Sequence, residues 1–138
     1  MDDASRAAMR RSDVGVVFQQ FNLIPSRTVA ANISFQARLS GVVDEARIAE
    51  LTEALGLTPH LAKFPEALSG GQQQRVAIAR TMAAKPKLIL ADEPTGNLDE
   101  ATASDVLDQM LGLVADTGAA LMIVTHSQIV AARMDRQV

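Results

Sequence analysis

Short apolar runs alternate along the chain with longer stretches in which apolar residues recur every three or four positions. The apolar runs predict buried strands at residues 14–18 (VGVVF), 88–91 (LILA) and 119–124 (AALMIV). The periodic stretches predict helices at residues 4–11, 29–39, 44–55, 72–84 and 100–116, and a last helix that begins near Ser127. Asn, Pro and Gly between them predict loops, above all at residues 21–28.

This alternation favours an α/β fold with a parallel sheet whose two faces are covered by helices. In such sheets, ligands bind at the carboxyl ends of the strands. Each predicted strand is followed there by polar residues, which are Gln19, the pair Asp92 and Glu93, and His126. We therefore expect one shared site at this edge of the sheet.

Composition narrows the class of protein. The 138 residues suit one domain or part of one, and 48% hydrophobic with 21% charged residues is enough for a packed core. A net charge of −3 and the absence of Trp and Tyr argue against a nucleic-acid partner. The absence of Cys excludes disulfides and thiolate metal sites. No run of about 18 apolar residues occurs, so we expect no membrane-spanning helix.

Two adjacent carboxylates directly after a buried strand are a candidate Mg²⁺ site, because a hydrated Mg²⁺ prefers one or two carboxylates together with phosphate oxygens. Asp92 is placed to hold the ion, and Glu93 to orient or deprotonate an attacking water. Gln19 could reach the metal or a water with its carbonyl oxygen. The alternative is that all three are solvated polar residues at strand ends.

Residues 68–72 (LSGGQ) are a candidate anion site, because two glycines before a helix let its free N–H groups approach a phosphate closely. Ser69 adds a hydroxyl donor, although a Ser-capped helix start explains the same pattern. His126 could contact a phosphate. Asp99 fits a helix cap, which is compatible with a second role.

Five strings, in this order, resemble the ATP-binding domain of ABC transporters. They are residues 17–20 (VFQQ) for the Q-loop, 68–80 (LSGGQQQRVAIAR) for the signature motif and its helix, 88–93 (LILADE) for Walker B with the catalytic glutamate, 96–99 (GNLD) for the D-loop, and 125–126 (TH) for the H-switch. The resemblance covers nearly the whole chain.

The resemblance implies a partial P-loop NTPase-type core, at residues 14–20 and 87–138, with an inserted helical subdomain at about residues 28–68. It also implies ATP and Mg²⁺ as cofactors. The implied metal ligands are Asp92 and Gln19, and the implied catalytic residues are Glu93 and His126. The remaining implied nucleotide contacts are Ser69, Gly70, Gly71 and Gln72 of the signature motif, which face ATP on the opposite subunit, and Asp99, which communicates across the dimer.

The implied partners are a second ATP-binding subunit, in a head-to-tail dimer, and transmembrane permease subunits. The implied location is cytoplasmic, on the inner face of the cell membrane. Residues 92–99 (DEPTGNLD) resemble the lipoprotein-release, macrolide-export and cell-division group, whereas residues 21–29 (FNLIPSRTV) resemble methionine and other amino-acid importers. The transported substrate and its direction stay open.

The sequence departs from the family in that no string of the form G-x-x-x-x-G-K-[ST] occurs in it. This phosphate-gripping P-loop belongs ahead of Gln19, so the resemblance implies an N-terminally truncated domain. The loop supplies most of the grip on the β- and γ-phosphates, and we expect the chain alone to bind ATP poorly and hydrolyse it negligibly. The alternatives are a non-catalytic partner that supplies the signature motif in trans, and an ABC ATPase without a transport role.

Overall fold

Three strands form a parallel sheet in the order in which they occur along the chain. The computed structural model describes residues 14–41 and 43–125. The strands are β1 (Val14–Phe18), β2 (Leu88–Asp92) and β3 (Ala120–Val124), and the helices are α1 (Val29–Ser40), α2 (Glu45–Ala54), α3 (Gly70–Ala83) and α4 (Glu100–Thr117), with 3₁₀ turns at Thr58–His60 and Pro65–Ala67. This confirms the α/β class and each predicted element within the described residues. The helices predicted at residues 4–11 and near Ser127 lie outside them.

The strand register aligns the carboxyl ends of the strands. Phe18 lies opposite Asp92, and Asp92 lies opposite Val124. The residues that follow, Gln19, Glu93 and Thr125, therefore leave the sheet at the same edge. The shared edge expected from the sequence is confirmed up to Thr125, because His126 lies outside the described residues.

Helix α3 packs between the sheet and α1 and carries much of the core. Ile78 on α3, Ile33 on α1 and Ile89 on β2 are all at most 2% exposed. At Gly15 on β1, a Cβ atom would lie 2.4 Å from Thr81 Cγ2, so the glycine permits close contact between strand and helix. Burial of each of these three Ile side chains stabilises the fold by roughly 1.5–3 kcal/mol. The packing of α3 on the sheet fixes the helix against β1, the strand that leads to Gln19.

Each helix begins at a side-chain cap. Thr28, Asp44, Ser69 and Asp99 accept hydrogen bonds from backbone N–H groups in the first turn of α1, α2, α3 and α4 respectively. The sequence predicts that the helix observed as α3 begins at residue 72. The structure begins it two residues earlier, because the cap on Ser69 allows Gly70 and Gly71 to be helical. Both candidate anion-binding glycines thus lie inside α3.

One face of β3 is apolar and exposed, with Met122 at 57% and Val124 at 59% exposure. The alternate residues Leu121 and Ile123 pack against the core. Within the described part of the chain, no helix is long and apolar enough to cross a membrane.

Candidate functional site

The two carboxylates after β2 lie at the aligned edge and differ in surroundings. The Asp92 side chain is exposed, whereas Glu93 is half-buried. The Glu93 N–H donates to the carbonyl oxygen of Val124 at 2.7 Å, and Thr125 Oγ1 donates to Glu93 Oε2 at 3.4 Å. These contacts direct the chain that leaves β2 towards the end of β3.

Glu93 adopts a backbone conformation that is unfavourable for its residue type. Its φ angle is +45°, in the left-handed region, which costs an L-residue with a Cβ atom roughly 1–2 kcal/mol. Strained residues of this kind persist where the surrounding structure holds them, and they concentrate at functional sites. The hydrogen bond to Val124 helps to hold this one.

Gln19 makes a reciprocal pair of hydrogen bonds with Asn97. Gln19 Nε2 donates to Asn97 Oδ1 at 3.2 Å, and Asn97 Nδ2 donates to the backbone oxygen of Gln19 at 2.9 Å. A Cβ atom on Gly96 would lie 2.9 Å from Gln19 Nε2, so the side chain of Gln19 lies directly against this glycine. The end of β1 is thus joined to the turn after Glu93.

A second carboxamide, that of Gln74 on α3, also joins the end of β1 to the turn after Glu93. The residue is fully buried, and its Nε2 donates to the backbone oxygens of Phe18 and Pro94. Its Oε1 is buried and accepts no hydrogen bond within the described residues. Gln74 therefore fixes the ends of β1 and β2 relative to α3.

Arg80, also on α3, holds the segment that follows Gln19. Its Nη1 donates to the oxygen of Asn22 at 2.8 Å, and its Nη2 donates to the oxygen of Phe21 at 3.3 Å. Burial lowers the pKa of the Arg80 guanidinium, although Arg stays charged in proteins. Asn22 has φ +54°, and the arginine anchors this turn.

The signature string forms a capping box at the start of α3. Ser69 Oγ accepts from the N–H of Gln72 at 3.2 Å, and Gln72 Oε1 accepts from the N–H of Ser69 at 3.0 Å. The Gln72 amide also lies 3.4 Å from His60 Nε2. The structure therefore confirms that this string caps the start of a helix. Phosphate binding by the same string stays a prediction.

Gly71 is a site of close helix packing. A Cβ atom there would lie 2.5 Å from Thr102 Cγ2 on α4, and one on Gly70 would lie 3.4 Å from Leu98. Asp99 caps α4 by accepting from the N–H of Thr102, and hydrogen bonds from Thr102 hold the pKa of Asp99 below its ordinary value. The starts of α3 and α4 are in direct contact.

The structure thus brings the candidate residues together in two groups. Gln19, Asp92 and Glu93 lie at the aligned strand ends, and the signature residues lie against the start of α4. Sequence reasoning assigned no separate role to Asn97, Gln74 or Arg80, although each lies within a string that carried the resemblance. A signal was present in Gln74 and Arg80, which are polar residues on an otherwise buried helix face.

The donor set at the strand ends fits Mg²⁺ with additional ligands from phosphate and water. No group of three or more His, Cys, Asp or Glu side chains that could hold a metal occurs within residues 14–41 and 43–125. Asp92 supplies one exposed carboxylate and Gln19 one amide oxygen, and Mg²⁺ accepts such a sparse protein set because it retains several waters.

Together these features define an α/β domain with its candidate site at the carboxyl edge of a parallel sheet. A sequence profile of the family described as ABC transporter matches residues 1–96. The chain belongs to this family.

Curated relatives bear this out. The chain is 48% identical over 141 residues to the lipoprotein-releasing system ATP-binding protein LolD of Roseobacter denitrificans, covering 100% of this chain and 62% of that protein. It is 49% identical over 136 residues to LolD of Novosphingobium aromaticivorans, covering 96% and 61%. It is 46% identical over 139 residues to an uncharacterized ABC transporter ATP-binding protein of Mycobacterium tuberculosis, covering 99% and 56%.

Solved structures agree. The dimeric structure of MJ0796, a bacterial ABC transporter cassette, matches with a TM-score of 0.79 and 38% identity, covering 96% of this chain and 60% of that one. A post-hydrolysis dimer of the same cassette bound to ADP and Pi matches with a TM-score of 0.78. The chain spans about three fifths of the length of these relatives.

Proposed function

We propose that the chain forms part of an ATP-binding subunit of an ABC transporter, in which Mg-ATP binds at the carboxyl edge of the sheet and its hydrolysis drives transport. The observation that carries this proposal is the placement of Glu93, in a strained conformation, beside Asp92 where the ends of β1 and β2 align. The ADP and Pi of the similar MJ0796 cassette support the choice of nucleotide.

Within this proposal, Asp92 and the side-chain carbonyl oxygen of Gln19 would hold Mg²⁺, which would neutralise charge on the phosphates. Glu93 orients or deprotonates the attacking water, and its hydrogen bond with Thr125 limits the positions that the carboxylate can take. His126, outside the described residues, contacts the γ-phosphate.

The partners follow from the same proposal. Ser69, Gly70, Gly71 and Gln72 contact ATP that is held by a second ATP-binding subunit in a head-to-tail dimer, and Asp99 lies at the same junction. The dimeric assembly of the similar cassette supports this. Transmembrane subunits complete the transporter, with the chain on the inner face of the membrane. The names of the LolD relatives refer to lipoprotein release, which favours lipoproteins as the class of molecule that is transported.

The role of Glu93 is tested in a longer chain that carries a G-x-x-x-x-G-K-[ST] segment ahead of residue 1. We expect Glu93→Gln to lower the ATP hydrolysis rate by about 10²–10⁴-fold, because the amide cannot accept a proton from water. Mg-ATP affinity, measured by calorimetry, should change little. Glu53→Gln, at an exposed position on α2, is the matched control and should keep the parent rate. A Glu93→Gln chain that hydrolyses ATP at the parent rate contradicts the proposal.

A further inference from the structure

The orientation of the Gln19 carboxamide decides whether it can serve a metal at all. A glutamine ligates Mg²⁺ through its carbonyl oxygen only, whereas its NH₂ group is a donor. The two ends of a carboxamide have nearly the same shape, so packing alone does not select between them. A hydrogen-bonding partner of defined polarity is required.

Asn97 is such a partner, because the orientation of its own carboxamide is fixed. The backbone oxygen of Gln19 can only accept, so the Asn97 group that faces it at 2.9 Å is the donor Nδ2. Asn97 Oδ1 is then the atom that faces the Gln19 side chain, and it can only accept. Gln19 must present Nε2 to it, which leaves Oε1 available to another partner.

Gly96 supports this arrangement sterically. A Cβ atom at this position would lie 2.9 Å from Gln19 Nε2, 3.0 Å from Cδ and 3.2 Å from Cγ. The end of the Gln19 side chain therefore lies flat across the glycine, and a methyl group there would displace it. Residues 96 and 97 act on Gln19 by independent means, one by space and one by hydrogen bonding.

We infer that Asn97 is a positioning residue for Gln19, with Gly96 as its support, and that it selects the carbonyl oxygen of Gln19 as the atom offered to a metal. This inference rests on the metal role of Gln19 in the proposed function. It also connects the turn after Glu93 to the Q-loop, because displacement of Asn97 releases both the side chain and the backbone oxygen of Gln19.

The test uses nuclear magnetic resonance on the ¹⁵N-labelled 138-residue chain without nucleotide. Exchange of the Gln19 Nε2 protons with water should be about fivefold slower than that of Gln36, an exposed glutamine on α1, which is the protection that a hydrogen bond of ordinary net strength gives. Asn97→Ala and Gly96→Ala should each remove this protection. Wild-type protection of Gln19 in both variants overturns the inference.

A second readout separates positioning from stability. Mg²⁺ is titrated in the presence of ATP into the longer chain that carries a G-x-x-x-x-G-K-[ST] segment ahead of residue 1, because the site needs phosphate oxygens as additional ligands. The backbone amides of Gln19 and Asp92 are followed, and Asn97→Ala should weaken the apparent Mg²⁺ affinity about tenfold, as loss of an orienting partner does at other metal sites. Because Asn97 is exposed, Asn97→Ala should stay folded and lower the urea midpoint only slightly, through loss of its two hydrogen bonds, and Gln36→Ala should change neither quantity.

The outcomes distinguish the inference from the proposed function. If Mg²⁺ shifts the wild-type amides and Asn97→Ala binds it equally well, the positioning role is overturned and the metal site stands. If ATP binds to the longer wild-type chain but Mg²⁺ shifts neither amide, the metal site itself is contradicted, and the positioning role that rests on it fails with it.

Discussion

At the residue scale, Glu93, the proposed catalytic base, is held in a strained backbone conformation. Its φ of +45° places the carboxylate at the end of β2 while its N–H reaches Val124 on the neighbouring strand. A glycine would adopt this conformation without the steric cost. A glutamate at this position fits the role proposed for its side chain, which is half-buried and accepts a hydrogen bond from Thr125.

This strain can be measured by comparing two truncations. Glu93→Gly and Glu93→Ala both remove the carboxylate and its contact with Thr125, so they differ in the cost of positive φ and in the backbone entropy lost on folding. We expect the Gly variant to be more stable than the Ala variant by about 1 kcal/mol in urea unfolding. In an unstrained conformation the order reverses, since glycine loses more backbone entropy on folding. A more stable Ala variant would contradict the strain at Glu93.

Of the features of the site, the hydrogen-bond partners of individual polar side chains were the least predictable from the sequence. Gln19 was identified from its place after a strand, but its partner Asn97 lies 78 residues further along the chain. No local pattern encodes such a pairing, because it depends on the register that brings β1 beside β2. The same holds for Gln74, whose buried amide meets backbone oxygens from two separate segments.

At the element scale, the helices that frame the site begin at charged or hydroxyl caps, and two of these caps titrate. The hydrogen bond from Lys85 at 2.6 Å holds the pKa of Asp44 below its ordinary value, and the hydrogen bonds from Thr102 do the same for Asp99. A carboxylate whose pKa is depressed by folding stabilises the fold above its unfolded pKa. That contribution is lost as the pH falls through the folded pKa.

We therefore expect the free energy of unfolding to decline as the pH falls below the ordinary value of 3.8, in part through these two caps. Asparagine caps helices about as well as aspartate but carries no titrating proton. The double variant Asp44→Asn, Asp99→Asn should lose less stability between pH 5 and 2 than the parent does, as measured by urea unfolding at each pH. Equal slopes in the two chains would show that the caps do not contribute to the acid dependence.

Elements themselves were predictable because their signals are local. The β-branched run at residues 14–18 and the apolar run at 88–91 each became a strand, and Asp44, Ser69 and Asp99 each began a helix. What the sequence could not give was the contact between the starts of α3 and α4. The sequence predicts an anion-binding role for Gly71, which stays a prediction, and the structure shows that its missing side chain makes room for Thr102.

At the scale of the whole molecule, α3 is the element through which the two groups of candidate residues are connected. Its first residues form the signature string, its buried Gln74 holds the ends of β1 and β2, and its Arg80 holds the segment after Gln19. A shift of α3 would therefore be transmitted to the Q-loop and to the turn after Glu93 together.

Under the proposed function, different segments of the subunit bind different parts of the nucleotide. The described residues supply a candidate metal ligand, a candidate base and a signature string, but the 138-residue sequence contains no G-x-x-x-x-G-K-[ST] segment to grip the β- and γ-phosphates. In the proposed function the phosphate grip, the metal ligand and the base act on the same nucleotide, whereas the signature string acts on the nucleotide of the second subunit. Removal of the grip should therefore weaken binding even where the other groups are in place.

The most direct test is calorimetric titration of Mg-ATP into the 138-residue chain and into a longer chain that carries such a segment ahead of residue 1. We expect no measurable binding by the shorter chain and saturable binding by the longer one, reduced when Asp92 is replaced by Asn. Tight binding by the shorter chain alone would contradict the account, because some other element of it would then have to hold the phosphates.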